Sequence, residues 1–242
     1  MADKTILITN DDGITSAGLV KLVEAAVKFG QVWVVAPDGQ RSAMSHRITY
    51  SGGLTVRPYD FPVKGVKAFA CSGTPADCVR VGALKLMPQK PDYVFSGIND
   101  GYNMAGDIQY SGTAAAAFEG AFWNIHSIAF SRDYEGTLDV TDKYLSETME
   151  ECMKKPLGKN QIWNINFPGC NLEDCRGILR DRVVSTDPFY ADEYTMEQSP
   201  ENPEVQILSV VPNRNCDTVT KGTDLEALLN NYVSIGVVNN VK

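Results

Sequence analysis

Short apolar runs alternate with amphipathic stretches through the first two thirds of the chain. Residues 5–9 are almost wholly apolar or β-branched, as expected for a strand that is buried on both faces. Between Ser16 and Phe29 the apolar side chains recur at helical spacing, and Gly30 follows where a helix commonly ends. Residues 32–36 form a second apolar run. This order of strand, helix and strand predicts a right-handed βαβ unit with parallel strands.

The same alternation continues to residue 167. Further strands are predicted where the chain is apolar over a short length, at residues 68–71, 93–96, 127–130 and 162–167. Further helices are predicted at residues 74–86, from Ser111 onward, and around residues 138–153. Residues 1–168 are therefore expected to form a Rossmann-like, three-layer α/β sandwich with a mostly parallel sheet.

The pattern changes after Pro168. It predicts strands at residues 178–185 and 205–211, on either side of a Pro- and Asp-rich stretch at residues 186–204, and then a helix at residues 223–230. Residues 169–242 are expected to form a smaller, β-rich extension with a hairpin, a helix and a strand. We expect this extension to belong to the same structural domain and to contribute oligomer contacts.

Composition and charge exclude several classes of protein. The chain has 22 Lys and Arg against 30 Asp and Glu, a formal net charge of −8, and no long basic run, so stable nucleic-acid binding is not expected. No membrane span or signal peptide is apparent, which predicts a cytoplasmic protein. The 6 cysteines lack a C-x-x-C pair and the chain has 2 histidines, so we expect reduced thiols and no zinc site.

Two adjacent carboxylates follow the first predicted strand, in Asn10-Asp11-Asp12-Gly13. Ligands of open parallel sheets bind beyond this end of the strands. Neighbouring buried carboxylates repel each other and lose hydration, unless a cation compensates. Hard divalent ions such as Mg²⁺ or Mn²⁺ prefer carboxylate, hydroxyl and amide oxygens, and Ser42 and Asn99 are uncharged candidates at the same sheet edge. The alternative is that Asp11 and Asp12 only cap a turn.

A possible anion site precedes the alanine-rich helix. Ser111, Gly112 and Thr113 are small residues at a predicted helix start, where backbone N–H groups can bind a phosphate. The alternative is a plain helix cap. A metal site and an anion site at one sheet edge together indicate phosphate-ester chemistry.

In their order and spacing, several segments resemble the survival protein E (SurE) family of metal-dependent nucleotidases. The matching segments include Asn10-Asp-Asp-Gly13, Ala36-Pro-Asp38 with Arg41-Ser42, Ser72-Gly-Thr-Pro-Ala-Asp-Cys-Val79, Ser96-Gly-Ile-Asn99, Tyr110-Ser-Gly-Thr113, Asn164-Ile-Asn166 and Thr223-Asp224. The resemblance implies a 5′-nucleotidase that releases phosphate from nucleoside 5′- and 3′-monophosphates. It also implies homodimers or homotetramers built by exchange of carboxyl-terminal segments.

The resemblance further implies how the site residues are used. One divalent metal ion per subunit, Mg²⁺ or Mn²⁺, would be held by Asp11, Asp12, Ser42 and Asn99. Phosphate would be bound near Asn103 and by Ser111, Gly112 and Thr113. The mechanism we predict is hydrolysis by metal-activated water, with Asp11 or Asp12 as the proton acceptor.

Other side chains near these segments have more than one interpretation. His46 could protonate the leaving oxygen, contact the substrate, or be a solvated loop residue. Tyr102 and Tyr110 could stack on a nucleobase or be rim residues of the core.

Two other classes carry acidic residues after the first strand. A haloacid-dehalogenase-type phosphatase, with its covalent intermediate, needs an Asp two positions before its acid Asp, but Asn10 and Gly13 occupy the corresponding positions. A noncatalytic, Mg²⁺-binding module like a receiver domain would be much shorter and leaves the anion site at Ser111 unused. Both fit the sequence less well than a nucleotidase.

Overall fold

The computed structural model describes residues 4–202, 204–216 and 219–241. Within these residues nine strands form one sheet and two more form a separate hairpin. The strands are β1 (Lys4–Thr9), β2 (Gly30–Pro37), β3 (Val56–Tyr59), β4 (Lys67–Cys71), β5 (Tyr93–Asp100), β6 (His126–Arg132), β7 (Gln161–Phe167), β8 (Ile178–Leu179), β9 (Glu193–Gln198), β10 (Gln206–Val211) and β11 (Val233–Asn239). The α-helices are α1 (Ala17–Ala26), α2 (Pro75–Val81), α3 (Gly112–Phe122), α4 (Asp139–Lys154) and α5 (Asp224–Leu229).

The large sheet has the strand order β3-β4-β2-β1-β5-β6-β7-β11-β8. The six adjacent strands β4, β2, β1, β5, β6 and β7 are parallel to one another. Strand β3 is antiparallel to β4, and β11 is antiparallel to β7. Helices α1 and α4 pack on one face and α2 and α3 on the other. The predicted three-layer α/β fold with a mostly parallel sheet is confirmed.

The packing of the central strand β1 explains the apolar run Ile6-Leu7-Ile8 in its middle. Ile6 and Ile8 are fully buried in the core cluster that includes α1 and α4. Leu7 points to the opposite face and is fully buried in the cluster that includes α2. Because helices cover both faces, consecutive positions in the middle of the strand favour apolar side chains.

The predicted helix starts are also confirmed. Ser16 caps α1 by accepting a hydrogen bond from the backbone N–H of Leu19. Thr74 and Asp77 form a reciprocal capping box at the start of α2, each side chain accepting from the other residue's N–H. The predicted helix over residues 74–86 is α2 followed by a wider, π-helical turn at Gly82–Leu86.

One predicted strand was wrong, and two strands were not predicted. The predicted strand at residues 178–185 is limited to β8 because Asp181 adopts a positive φ of 56°, which interrupts the extended backbone. The pattern missed β3, a short edge strand that contains Pro58, a residue that edge strands tolerate. It also missed β9, where every residue is exposed and no burial pattern marks a strand.

The chain beyond residue 168 contributes to both sheets. Strand β11 pairs with β7 from Ser234 to Asn239, and β8 pairs with β11, so this part of the chain extends the core sheet. Strands β9 and β10 form the separate hairpin. The division of the chain at residue 168 remains a prediction. In the described part of the chain, no helix has the length and apolar character needed to cross a membrane.

One close contact between α1 and β5 gives a test of this packing. A Cβ atom at Gly18 would lie 2.1 Å from the carbonyl oxygen of Ile98. We expect Gly18→Ala to lower the free energy of unfolding by about 1–3 kcal/mol, because either α1 or β5 must move to make room for the added methyl group. Thermal unfolding should show a midpoint several degrees lower.

The matched control is Gly53→Ala, since no atom lies within 4 Å of a Cβ built there. This control should unfold like the wild type. Equal midpoints for the Gly18→Ala protein and the wild type would contradict the close packing of α1 on β5.

Candidate functional site

The turn after β1 is fixed by the buried side chain of Asn10. Its Nδ2 donates to the carbonyl of Gly13 at 3.1 Å and to Ser16 Oγ at 2.7 Å, and its Oδ1 accepts from the Gly13 N–H at 3.2 Å. Gly13 has a φ of 100°, a conformation that favours glycine. The turn therefore holds Asp11 and Asp12 rigidly at the carboxyl end of the central strand.

Asp11 is the buried carboxylate of the site. It is 3% exposed, and its Oδ1 accepts a hydrogen bond of 2.6 Å from the Thr113 hydroxyl. A Cβ at Gly112 would lie 3.0 Å from the Asp11 Cβ, so the amino end of α3 approaches Asp11 as closely as glycine allows. Burial, with a smaller contribution from the charge of Asp12, raises the pKa of Asp11 to about 6, while the Thr113 hydrogen bond opposes this.

Asp12 lies between Asp11 and the end of β5. Its Oδ2 accepts from the backbone N–H of Asp100 at 3.4 Å. Burial raises the pKa of Asp12, an effect that the Asp100 N–H and the charge of Arg132 reduce. Arg132 is itself paired with Asp100 at 2.7 Å, so the two carboxylates Asp12 and Asp100 share one arginine.

This charge balance fits a divalent cation. The groups that act on Asp11 are hydroxyl and backbone donors and the neighbouring Asp12, and none of them is cationic. Uncompensated buried carboxylates are costly, and oxygen-binding Mg²⁺ or Mn²⁺ would remove that cost. In the described residues no group of three or more His, Cys, Asp or Glu side chains could hold a metal, so Ser42 and Asn99 would have to contribute oxygen ligands.

A cavity of about 730 Å³ brings several predicted residues together. Those that line it are Asp11, Ser42, Asn99, Asn103 and Ser111, together with Tyr102 and Tyr110. Asp12, His46, Gly112 and Thr113 are not among its lining residues. Gly112 and Thr113 instead lie behind Asp11, against which they pack.

A larger groove, of about 920 Å³, lies at the other edge of the sheet. Its lining includes Lys4 and Tyr93, at the amino ends of β1 and β5, and none of the predicted site residues. Because ligands of open α/β sheets bind at the carboxyl ends of the strands, the smaller cavity is the candidate site.

The amide residues are positioned by the ends of the neighbouring strands. Asn103 is 7% exposed, and its Nδ2 donates to Ser131 Oγ at 2.8 Å. Its backbone N–H donates to Asn166, and its carbonyl accepts from Asn164 and Asn166. These contacts hold Asn103 in one place at the cavity wall.

His46 belongs to a different cluster. Its Nε2 lies 2.9 Å from Glu119 Oε2, and its ring stacks on Phe122 with centroids 5.3 Å apart. Arg80 pairs with the other oxygen of Glu119 at 3.0 Å, and Trp123 donates to that oxygen at 2.8 Å. Because this cluster engages the His46 ring, a packing role for His46 is favoured over protonation of a leaving group.

Local sequence patterns missed one wall of the cavity. Pro188, Tyr190, Asp192 and Tyr194, which precede or begin β9, line it together with Asp107. No local pattern marks these residues as site residues, since their approach depends on how the carboxyl-terminal region folds back onto the core. The Asp107 carboxylate accepts hydrogen bonds from the backbone N–H groups of Phe189 and Tyr190.

The fold and cavity define an α/β protein with an oxygen-rich ligand site at the carboxyl edge of a parallel sheet. A family model described as "Survival protein SurE" matches residues 6–187. The chain is 36% identical to "5'-nucleotidase SurE" of Clostridium botulinum (strain ATCC 19397 / Type A) over 234 residues, which cover 95% of this chain and 90% of the relative. It is 33% identical to the protein of the same name from Flavobacterium psychrophilum over 241 residues, covering 97% and 91%.

A solved structure agrees with these matches. The crystal structure of "Sure Protein" from Aquifex aeolicus superposes with a TM-score of 0.80 at 32% identity, and the match covers 97% of this chain and 93% of that one. The chain belongs to the SurE family, as its sequence motifs indicated.

The Glu119 cluster predicts a pH dependence of stability. Burial alone would raise the pKa of Glu119, but hydrogen bonds from His46 and Trp123 and the charge of Arg80 lower it overall, below its ordinary 4.5. A lowered carboxyl pKa stabilises the folded state above the unfolded pKa, and that contribution is lost as the pH falls through the folded pKa. We expect Glu119→Gln to lower the free energy of unfolding by about 1–2 kcal/mol at neutral pH.

Urea unfolding from about pH 6 to about pH 3.5 measures this effect. The difference between wild type and the Glu119→Gln protein should shrink as the pH falls below about 4.5. Glu24→Gln, which changes an exposed glutamate of α1, is the control and should leave stability unchanged. A difference that stays constant over this range would exclude an ionised Glu119 as the stabilising group.

Proposed function

We propose that this protein is a divalent-metal-dependent nucleotidase that hydrolyses nucleoside 5′-monophosphates, and also 3′-monophosphates, to nucleoside and phosphate. The observation that carries the proposal is the buried, cation-free carboxylate of Asp11 at the tip of β1, which faces a cavity lined by hydroxyl and amide groups. The relatives from Clostridium botulinum and Flavobacterium psychrophilum are named 5'-nucleotidase SurE, which supports the same activity.

The proposed metal ligands are Asp11, Asp12, Ser42 and Asn99, with one Mg²⁺ or Mn²⁺ per subunit. When bound, such an ion lowers the pKa of a coordinated water and polarises a phosphoryl oxygen. Two carboxylates with two neutral ligands would balance its charge, so an anionic phosphate could still approach.

The residues that line the cavity and those directly behind its wall have separate proposed roles. Asp11 or Asp12 accepts the proton of the attacking water. The amino end of α3, with Ser111, Gly112 and Thr113, provides the positive end of a helix dipole for the phosphate oxygens. Asn103 is fixed by its contacts to β6 and β7. It does not act as a general acid but orients the phosphate.

We also propose that the protein acts in the cytoplasm, where nucleoside monophosphates are metabolites, and that it forms a homodimer or homotetramer. The hairpin of β9 and β10 supports the assembly. Tyr194, Met196, Leu208 and Val210 form cross-strand pairs on one face and are 54–64% exposed. A two-stranded hairpin with an exposed apolar face is marginal alone, so a second copy of the chain is a suitable cover.

The activity is tested with Asp12→Asn. The variant should remain folded, but phosphate release from adenosine monophosphate with added Mn²⁺ should fall on the order of a hundredfold or more, because the metal and the reacting water lose a carboxylate. Turnover equal to that of the wild type would exclude Asp12 from the site.

Two controls accompany this measurement. Asp60→Asn changes an exposed carboxylate in the loop after β3 and should keep full activity. A chelator should abolish wild-type phosphate release, and Mn²⁺ or Mg²⁺ should restore it. Activity that persists in excess chelator would contradict the proposed metal dependence.

The assembly is tested with Leu208→Glu. A charge on the apolar hairpin face should disfavour subunit contact, so light scattering after size-exclusion chromatography should show a smaller species than for the wild type. Asp192→Ser, at an exposed polar position just before β9, should leave the assembly unchanged. Identical masses for the wild type and the Leu208→Glu protein would place the contact elsewhere.

A further inference from the structure

The missed wall of the cavity is chemically different from the side that carries Asp11 and Ser111. Tyr190, Tyr194 and Pro188 provide aromatic and apolar surface, and the remaining groups there, Asp107 and Asp192, are carboxylates. Carboxylates repel a phosphate, while aromatic rings suit a flat, uncharged ring system. This wall is therefore unsuited to the phosphate end of a nucleotide and suited to its base.

Tyr190 is anchored to the core through its neighbour Phe189. Phe189 is 1% exposed and packs in the cluster that includes Tyr102 and Leu225. Its ring lies 4.9 Å from the Tyr190 ring, in an edge-to-face contact. Tyr190 is thus supported from the protein side while it borders the cavity.

The hydroxyl end of Tyr190 reaches the segment that carries the candidate metal and phosphate residues. A Cβ built at Gly101, between Asn99 and Asn103, would lie 3.8 Å from the Tyr190 hydroxyl oxygen. Burial raises the pKa of Tyr190 to about 12, so the side chain is neutral at physiological pH. The ring therefore lies beside the polar residues of the site and adds no charge.

Asp107 fixes the backbone of this wall. Its Oδ2 accepts from the N–H of Phe189 at 2.8 Å and from that of Tyr190 at 2.9 Å. Asp107 belongs to the 3₁₀ turn Ala105–Tyr110, which ends directly before Ser111. One carboxylate thereby ties the position of Tyr190 to the start of α3, where the phosphate is proposed to bind.

A second set of contacts holds the wall from behind. The backbone of Phe189 accepts from Asn215 at 2.7 Å, and Ala191 donates to Asn213 at 2.9 Å. Arg214 lies over the Phe189 ring and pairs with Asp133 at 3.1 Å. The segment before β9 is consequently bonded on both sides, which suits a preformed ligand contact.

We propose that Tyr190 is the specificity-determining residue that stacks on the nucleobase, and that Asp107 is the positioning residue that holds it. This inference rests on the proposed nucleotidase function and names the group that would distinguish a nucleotide from a sugar phosphate. Base–aromatic stacking tolerates different bases, so the residue selects for a base without choosing among bases.

The test compares adenosine monophosphate with ribose 5-phosphate, which has the same phosphate and sugar but no base. For Tyr190→Ala we expect kcat/KM for adenosine monophosphate to fall about tenfold, mainly through KM, because a stacking contact is lost. Hydrolysis of ribose 5-phosphate should change by less than about twofold. Tyr190→Phe should retain the preference for adenosine monophosphate, since it keeps the ring.

Asp107→Ala tests the positioning role. It should reduce the preference for adenosine monophosphate over ribose 5-phosphate in the same direction as Tyr190→Ala, without altering the pH profile of ribose 5-phosphate hydrolysis. The control is Tyr144→Ala, which removes a partly buried tyrosine from α4, a helix that does not line this cavity. This control should keep the wild-type preference.

The outcomes separate the two proposals. Equal losses for both substrates in Tyr190→Ala, or no loss for either, would overturn the stacking role while leaving the nucleotidase function intact. If the wild type hydrolyses neither substrate, the nucleotidase proposal fails, and calorimetric binding of adenosine monophosphate with Mn²⁺ then tests Tyr190 directly. Binding that Tyr190→Ala does not weaken, or no binding at all, would also overturn the stacking role.

Discussion

The burial of the Asp11 carboxylate at the end of the central strand is the constraint on which the rest of the site depends. A carboxylate that is 3% exposed needs donors or a cation, and the structure provides the Thr113 hydroxyl at 2.6 Å and the amino end of α3. Gly112 allows this helix end to come so close, because a Cβ there would touch the Asp11 side chain. The contact between the turn after β1 and the amino end of α3 therefore brings the candidate metal residues next to the candidate phosphate residues.

Two different parts of the chain form the walls of the cavity. The ends of the parallel strands supply its polar floor, including Asn99 from β5 and Asn103, which β6 and β7 hold in place. The region after residue 168 supplies the aromatic wall, and the Asp107 carboxylate links this wall to the core. A polar floor beside an aromatic wall matches the two ends of a nucleotide, so the geometry and the family membership support the same class of substrate.

The carboxyl-terminal region contains two structurally distinct parts. Strand β11 extends the core sheet by pairing with β7, which fixes the region to the core. The β9–β10 hairpin leaves an apolar face exposed, which suits contact with another copy of the chain. Tyr194 lies both in this hairpin and in the cavity lining, so the proposed subunit contact and the proposed substrate site share a segment.

The sequence by itself determined the α/β fold, the order of its central elements and the segments that lie at the carboxyl edge of the sheet. Periodicity and cap residues act locally, so Ser16 and Thr74 correctly marked the starts of α1 and α2. Asp11 and Ser111 were identified because an acidic pair and a small-residue helix start have a chemical meaning wherever they occur. The family was also visible in the order of short motifs.

Only the tertiary structure decided which of these residues share a cavity, and it separated His46 from the cavity-lining set. It also revealed that Tyr190 lines the cavity and that β8 ends before Asp181. Contacts between residues such as Asp107 and Tyr190, which are 83 positions apart, arise from the packing of distant segments. Local sequence patterns carry no signal for such contacts, because the two segments become neighbours only when the whole chain has folded.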